Sequence, residues 1–208
     1  MLSEASREIV KTTVPVLEAH GTEITRVFYR NMFADHPELL DIFNQANQSQ
    51  GRQQTALAAT VLAAAKHIDR LEELLPEVLH IAHKHRALQV KPEHYPIVGK
   101  YLLGAIKEVL GEAATPEILD AWGEAYGVIA GVFTGVEKEM YQQAAWPDFA
   151  EFTVTGKRQT GSDIIEFTVS PLAVKLPEIQ AGQYIRGQVR PGPDAHLALR
   201  HYSICSTD

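Results

Sequence analysis

Cysteine is almost missing from this chain: Cys205 is the only one in 208 residues. That excludes an internal disulfide and a cysteine-built zinc cluster, and it fits a reducing compartment. Positive charge is also scarce, with 19 Lys and Arg against 26 Asp and Glu and a formal net charge of -7. No basic run interleaves with aromatics, so a binder that works by neutralising phosphates is excluded and no nucleic-acid partner is expected. Long apolar runs are absent too. The first residues, MLSEASREIV, carry acidic charge and no continuous apolar segment, so neither a secretory signal nor a membrane span is expected, and the cytoplasm is the expected location. What is present is an ordinary 45% of hydrophobic residues, enough for a buried core, and a monomer is expected.

From Ser3 to about Trp146 the apolar residues recur at helical spacing, with no alternating run long enough for a strand. A first helix is predicted from Ser3, with Ile9, Val10, Val14 and Leu17 inward, to a break at His20 and Gly21. A second runs from Thr22 to Ala34 with Ile24, Val27 and Phe28 inward and Tyr29 beside them, ended by Asp35-His36-Pro37. A short turn holds Leu39, Leu40, Ile42 and Phe43. Gly51 to Ile68 reads as the next helix, and its inward side carries Gln53 one turn ahead of Leu57. A polar amide therefore looks toward the core.

The segment from Ile81 to Tyr95, IAHKHRALQVKPEHY, holds His83 and His85, with His80 just before it. The apolar stripe Leu71, Leu74, Leu75, Val78 and Ala82 leads at i+3/i+4 spacing to His85, whereas His83 lies roughly 160° and His80 roughly 140° away around the helix. His85 is the inward histidine. An imidazole there is either a hydrogen-bonded core residue or a metal or haem ligand. Lys91-Pro92-Glu93 restarts the chain with Pro at a first helical position and Tyr95 in the first turn. The last long helix is capped by Thr115, begun by Pro116, and carries Leu119, Trp122, Tyr126, Ile129, Ala130, Phe133 and Glu137 on one face. Glu137 is thus a carboxylate on a buried stripe or a snorkelling one at its edge, and Tyr95 either a plain core tyrosine or a partner of His85.

At Trp146-Pro147 the pattern changes. Phe149 to Thr155 and Ile164 to Ser170 read as strands joined by the turn Gly156 to Ser162, followed by a strand in GQYIRGQV and another from Arg200 to Cys205. The predicted organisation is an all-α domain over residues 1–147 and a partial antiparallel β-barrel over residues 148–208.

Six or seven helices around one inward histidine form a globin-like pattern. The stretches FYRNMFADHPELLDIFN, QGRQQTALAATV, KHRALQVKPEHYPIVGKYLL and LDAWGEAYGVIAGVF resemble the globin domain of flavohaemoglobins. Gly182-Gln183-Tyr184 with Arg200-His201-Tyr202-Ser203 resembles that family's FAD-binding domain. The resemblance implies a nitric oxide dioxygenase that turns NO and O2 into nitrate, using haem b and FAD with electrons from NAD(P)H. It implies His85 as the iron ligand, with Tyr95 and Glu137 as its proximal partners and Tyr29 and Gln53 as donors to bound oxygen. Phe28, Phe43 and Leu57 then wall the pocket. For FAD, the resemblance points to Tyr184, Arg200, His201, Tyr202 and Ser203, though His201 by itself reads as solvated, like His20, His36, His67, His94 and His196. The family's nicotinamide-binding domain has no counterpart before Asp208, so the flavin unit is expected to be incomplete and NAD(P)H to act through a missing domain. The alternatives are a globin that binds, stores or senses O2 or NO without reductase activity, and a helical domain without haem.

Overall fold

The computed structural model describes residues 2–42, 51–146, 148–189, 192 and 198–206. Phe43 and His196, and the predicted boundary residue Pro147, lie outside the described residues. Helix α1 spans Glu4–Thr12, begun by Ser3, whose hydroxyl accepts from Ser6 N–H at 3.2 Å. Helix α2 spans Val14–Asp35, with Pro15 in its first turn. The break therefore falls at Thr13 and not at His20-Gly21. Proline restarts the chain at Val14, whereas Gly21 is buried inside α2, where an added Cβ would lie 3.5 Å from Ala58 Cβ. Its small size is used for packing.

A 3-10 turn, Pro37–Asp41, is followed among the described residues by α3 (Arg52–Lys66), a second 3-10 turn (Leu71–Leu74), α4 (Leu75–Leu88) and α5 (His94–Leu110). After a last 3-10 turn comes α6 (Pro116–Gln142), capped as predicted by Thr115. Pro92 lies before α5 and not inside it. Residues 91–94 form a turn closed by His94 N–H to the Lys91 carbonyl at 3.0 Å and by Lys91 N–H to His94 Nδ1 at 3.0 Å. Helix α2 packs on α3 and α5, α1 on α6, and α4 on α6. Between them lie Val10, Leu17, Ile24, Phe28, Met32, Leu39, Leu102, Ile106 and Trp122, all buried. Helices α5 and α6 approach closely at Gly99, where a Cβ would come within 2.6 Å of the Tyr126 ring. Of the stripe read on α4, only Ala82 is fully buried, and Leu75 is 45% exposed. The stripe is covered where α6 crosses it and uncovered at the helix start.

Four strands follow as two antiparallel ribbons, β1 (Phe152–Gln159) with β2 (Ile165–Pro171), and β3 (Tyr184–Val189) with β4 (Ala198–Ser203). Among the described residues they do not close into a barrel. Strand β1 runs through Gly156, which was expected in the turn. The register shifts between Val154 and Gly156, and a Cβ on Gly156 would meet Thr168 Oγ1 at 3.1 Å, so the glycine serves a bulge. No described helix is long and apolar enough to cross a membrane.

Candidate functional site

The site is assembled by α4, the start of α5 and the C-terminal third of α6. On α4, His80 and His83 are exposed, while His85 turns toward α6 with its side chain 30% exposed. Glu137 comes from α6 and is 2% exposed. His85 Nδ1 lies 2.8 Å from Glu137 Oε1 and 3.1 Å from the Tyr95 hydroxyl, and that hydroxyl donates to Glu137 Oε1 at 2.6 Å. A carboxylate only accepts, so the proton of the neutral imidazole sits on Nδ1 and the lone pair on Nε2. Nε2 makes no hydrogen bond among the described residues, and Glu137 Oε2 is buried without a partner. The three groups converge as the sequence suggested.

Burial, and then the bond to Glu137, push the Tyr95 phenol well above its usual value, so it stays a neutral donor. Phe133, one turn before Glu137, packs 5.4 Å from the His85 ring and 6.4 Å from that of Tyr95. Two further tyrosines hold the backbone here. The Tyr126 hydroxyl donates to the Tyr95 carbonyl at 2.6 Å, and the Tyr141 hydroxyl donates to the Val90 carbonyl at 2.8 Å. Sequence reasoning placed Phe133 and Tyr126 in the core stripe and missed this role. The available signal was the spacing of Tyr126 three helical turns before Glu137.

An imidazole with one nitrogen tied to a buried carboxylate and the other left with a lone pair is the donor set of a ligating histidine with its orienting partner. The residues present therefore fit haem iron at His85. Tyr29 lies on α2, buried, between Phe28 at 4.7 Å and Phe33 at 5.6 Å between ring centroids. Burial raises its pKa. Thr25, one turn earlier, donates to the Gln54 carbonyl at 2.9 Å and so anchors the first turn of α3 against α2. That turn carries Gln53, half-buried like Leu57 one turn later.

The other predicted residues share the β3–β4 ribbon. Tyr184 pairs with Ser203, Arg186 with His201 and Gly187 with Arg200. Strand alternation puts Tyr184, Arg186, His201 and Ser203 on one face, and Arg200 and Tyr202 on the other. The rings of Tyr184 and His201 are 4.7 Å apart, and Tyr202 covers Gly187, where a Cβ would lie 2.9 Å from it. His201 is thus engaged with Tyr184 although exposed. Arg200 is exposed, and its guanidinium donates to the Leu199 carbonyl at 2.9 Å.

Comparison with known proteins gives the family. Residues 26–133 match the globin family. The chain is 52% identical over 210 residues to a flavohemoprotein of Bacillus subtilis, covering 98% of this chain and 53% of that protein. It is likewise 52% identical to one of Deinococcus radiodurans, again over 98% of this chain and 52% of that protein. The chain thus spans about half the length of these relatives. A flavohemoglobin of Malassezia yamatoensis with bound FAD and heme superposes on the whole chain, which covers 55% of it, with TM-score 0.86 and 32% identity. A bacterial globin from Campylobacter jejuni, 42% identical, is covered entirely by 68% of this chain with TM-score 0.65. The chain belongs to the globin family, in its flavohaemoglobin branch.

Proposed function

We propose that this chain is the haem-bearing part of a nitric oxide dioxygenase. The observation that carries this reading is the His85–Glu137–Tyr95 network, because a globin that only stores oxygen does not require an anionic partner on its ligand histidine. Haem b, when bound, would supply the iron chemistry that joins NO and O2 into nitrate, and FAD would relay electrons from NAD(P)H. His85 Nε2 would hold the iron. Glu137 takes the Nδ1–H bond and gives the imidazole imidazolate character, which raises its basicity. Tyr95 fixes the carboxylate and leaves Nδ1 with no other orientation. Tyr29 and Gln53 would donate to an anionic diatomic ligand, each charge-assisted bond contributing roughly 1.5 to 3 kcal/mol in a dry pocket. Phe28 and Leu57 exclude water beside them. Tyr184, Arg200, His201, Tyr202 and Ser203 would contribute to the flavin site, the guanidinium of Arg200 suiting a pyrophosphate.

The similarity of the helical part to a whole bacterial globin supports a second reading, a carrier or sensor of O2 or NO. The two part in how the reaction with NO depends on Glu137. The haem-loaded protein and its Glu137→Gln variant, each chemically reduced and oxygenated, are mixed with one equivalent of NO. The dioxygenase reading expects one nitrate per haem and the ferric protein, formed more slowly in the variant. An equal rate in the two, or release of O2 with accumulation of a stable NO complex, would support the carrier.

A further inference from the structure

The C-terminal end of α4 is tied down within five residues of His85. Val90 N–H donates to the His85 carbonyl itself at 2.9 Å, and Tyr141 holds the Val90 carbonyl at 2.8 Å. Between them stands Gln89, with φ of 61° the only non-glycine residue in the left-handed region among those described. A glutamine there is strained where glycine would not be, so its side chain has a reason to be present. With the amide oriented to satisfy both ends, Gln89 Nε2 donates to Asp148 Oδ1 at 3.0 Å and Gln89 Oε1 accepts from Arg186 Nη2 at 3.1 Å. Asp148 is also 3.5 Å from Lys91 Nζ. Arg186 belongs to β3, two residues after Tyr184 and on the same face, and its guanidinium lies 4.7 Å over the Phe149 ring.

This tie is poorly built for stability alone. Arg186 is half-buried, with Nε and Nη1 shielded from solvent and without partners, and such unmade bonds weigh against folding. Burial, and then the nearby charge of Arg86, lower the pKa of Arg186. Local rules broken at a coupling point are what a functional constraint leaves behind. We propose that Gln89 and Arg186 are positioning residues that couple the β3–β4 ribbon to the turn bearing His85, so that the flavin-side strand sets the orientation of the iron ligand. The proposal rests on the dioxygenase reading for its purpose but not for its geometry.

Two measurements on the 208-residue chain test it, using Arg186→Gln, Gln89→Gly, the double variant and the conservative Arg186→Lys. Gln89→Gly removes the side chain while easing the backbone, so its effect cannot come from added strain. In the chain without cofactor, Arg186→Gln should speed hydrogen exchange at Val90 N–H about tenfold or more, as loss of one charged hydrogen bond would. In the reduced haem-loaded protein, Arg186→Gln and Gln89→Gly should shift the iron–histidine stretching band the same way. The double variant should add nothing, and Arg186→Lys should restore part of the shift. An unmoved band in both single variants, or additive shifts, overturns the coupling. Failure to take up haem would instead count against the dioxygenase reading. In that case the exchange rate alone decides, and an unchanged Val90 rate overturns the proposal.

Discussion

Consider removing the 2.6 Å bond between Tyr95 and Glu137 in a double-mutant cycle of Tyr95→Phe and Glu137→Gln. The acceptor is 2% exposed, and its second oxygen is already buried without a partner. Tyr95→Phe therefore leaves the carboxylate with His85 alone, and the cost of that uncompensated group is added to the lost bond. Once Glu137 is an amide, the same Phe substitution removes only a neutral bond. Charge-assisted bonds contribute about 1.5 to 3 kcal/mol and neutral ones about 1. The coupling energy should thus be favourable by about 1 to 2 kcal/mol. Urea unfolding of the four haem-free proteins, with equal m-values checked, reads it directly. Additivity within about 0.5 kcal/mol would refute the claim that Tyr95 and Glu137 act as one unit.

Tyr29→Phe should speed O2 dissociation about tenfold in the haem-loaded protein, since a lost bond of about 1.4 kcal/mol is one factor of ten. Gln53→Leu should act in the same direction, and stopped-flow displacement of O2 measures both. Alkaline stability follows from the buried phenols. Burial pushes Tyr141 up to about 12, and it raises Tyr95 and Tyr126 as well. Each holds its proton more tightly folded than unfolded, where the ordinary value is about 10. Their contribution is therefore fully present below about pH 10 and is lost as pH rises, because the unfolded chain sheds these protons first. The urea midpoint should fall above about pH 10, and less steeply in Tyr141→Phe. An identical slope in that variant would contradict the burial argument.

Much of the site was legible because it is written in helical phase. His85 continues a stripe at i+3/i+4, Glu137 stands four residues beyond Phe133, and both faces turned out to meet. The start of α6 was readable from Thr115 and Pro116, whose effects are local. The α1–α2 break was misplaced because a lone glycine is a weak breaker, and Gly21 is present for its small size against Ala58. The turn at residues 91–94 depends on the His94 side chain capping Lys91 N–H, which no periodicity announces. The ties from Tyr126 to the Tyr95 carbonyl and from Gln89 to Arg186 join residues 31 and 97 positions apart. Such contacts arise only when helices and ribbon are docked, and single residues carry no trace of them.

The central claim is that His85, alone among its neighbours, holds haem iron. Reconstitution of His85→Ala, His80→Ala and His83→Ala with haem, read by Soret absorption and haem per chain, tests it most directly. The account predicts about one haem per chain, ligated through histidine, in the His80 and His83 variants, as expected for one inward ligand. It predicts loss of histidine ligation in His85→Ala, with return of the band when imidazole is supplied. Normal histidine-ligated haem in His85→Ala, or its loss in His80→Ala or His83→Ala instead, would contradict the account.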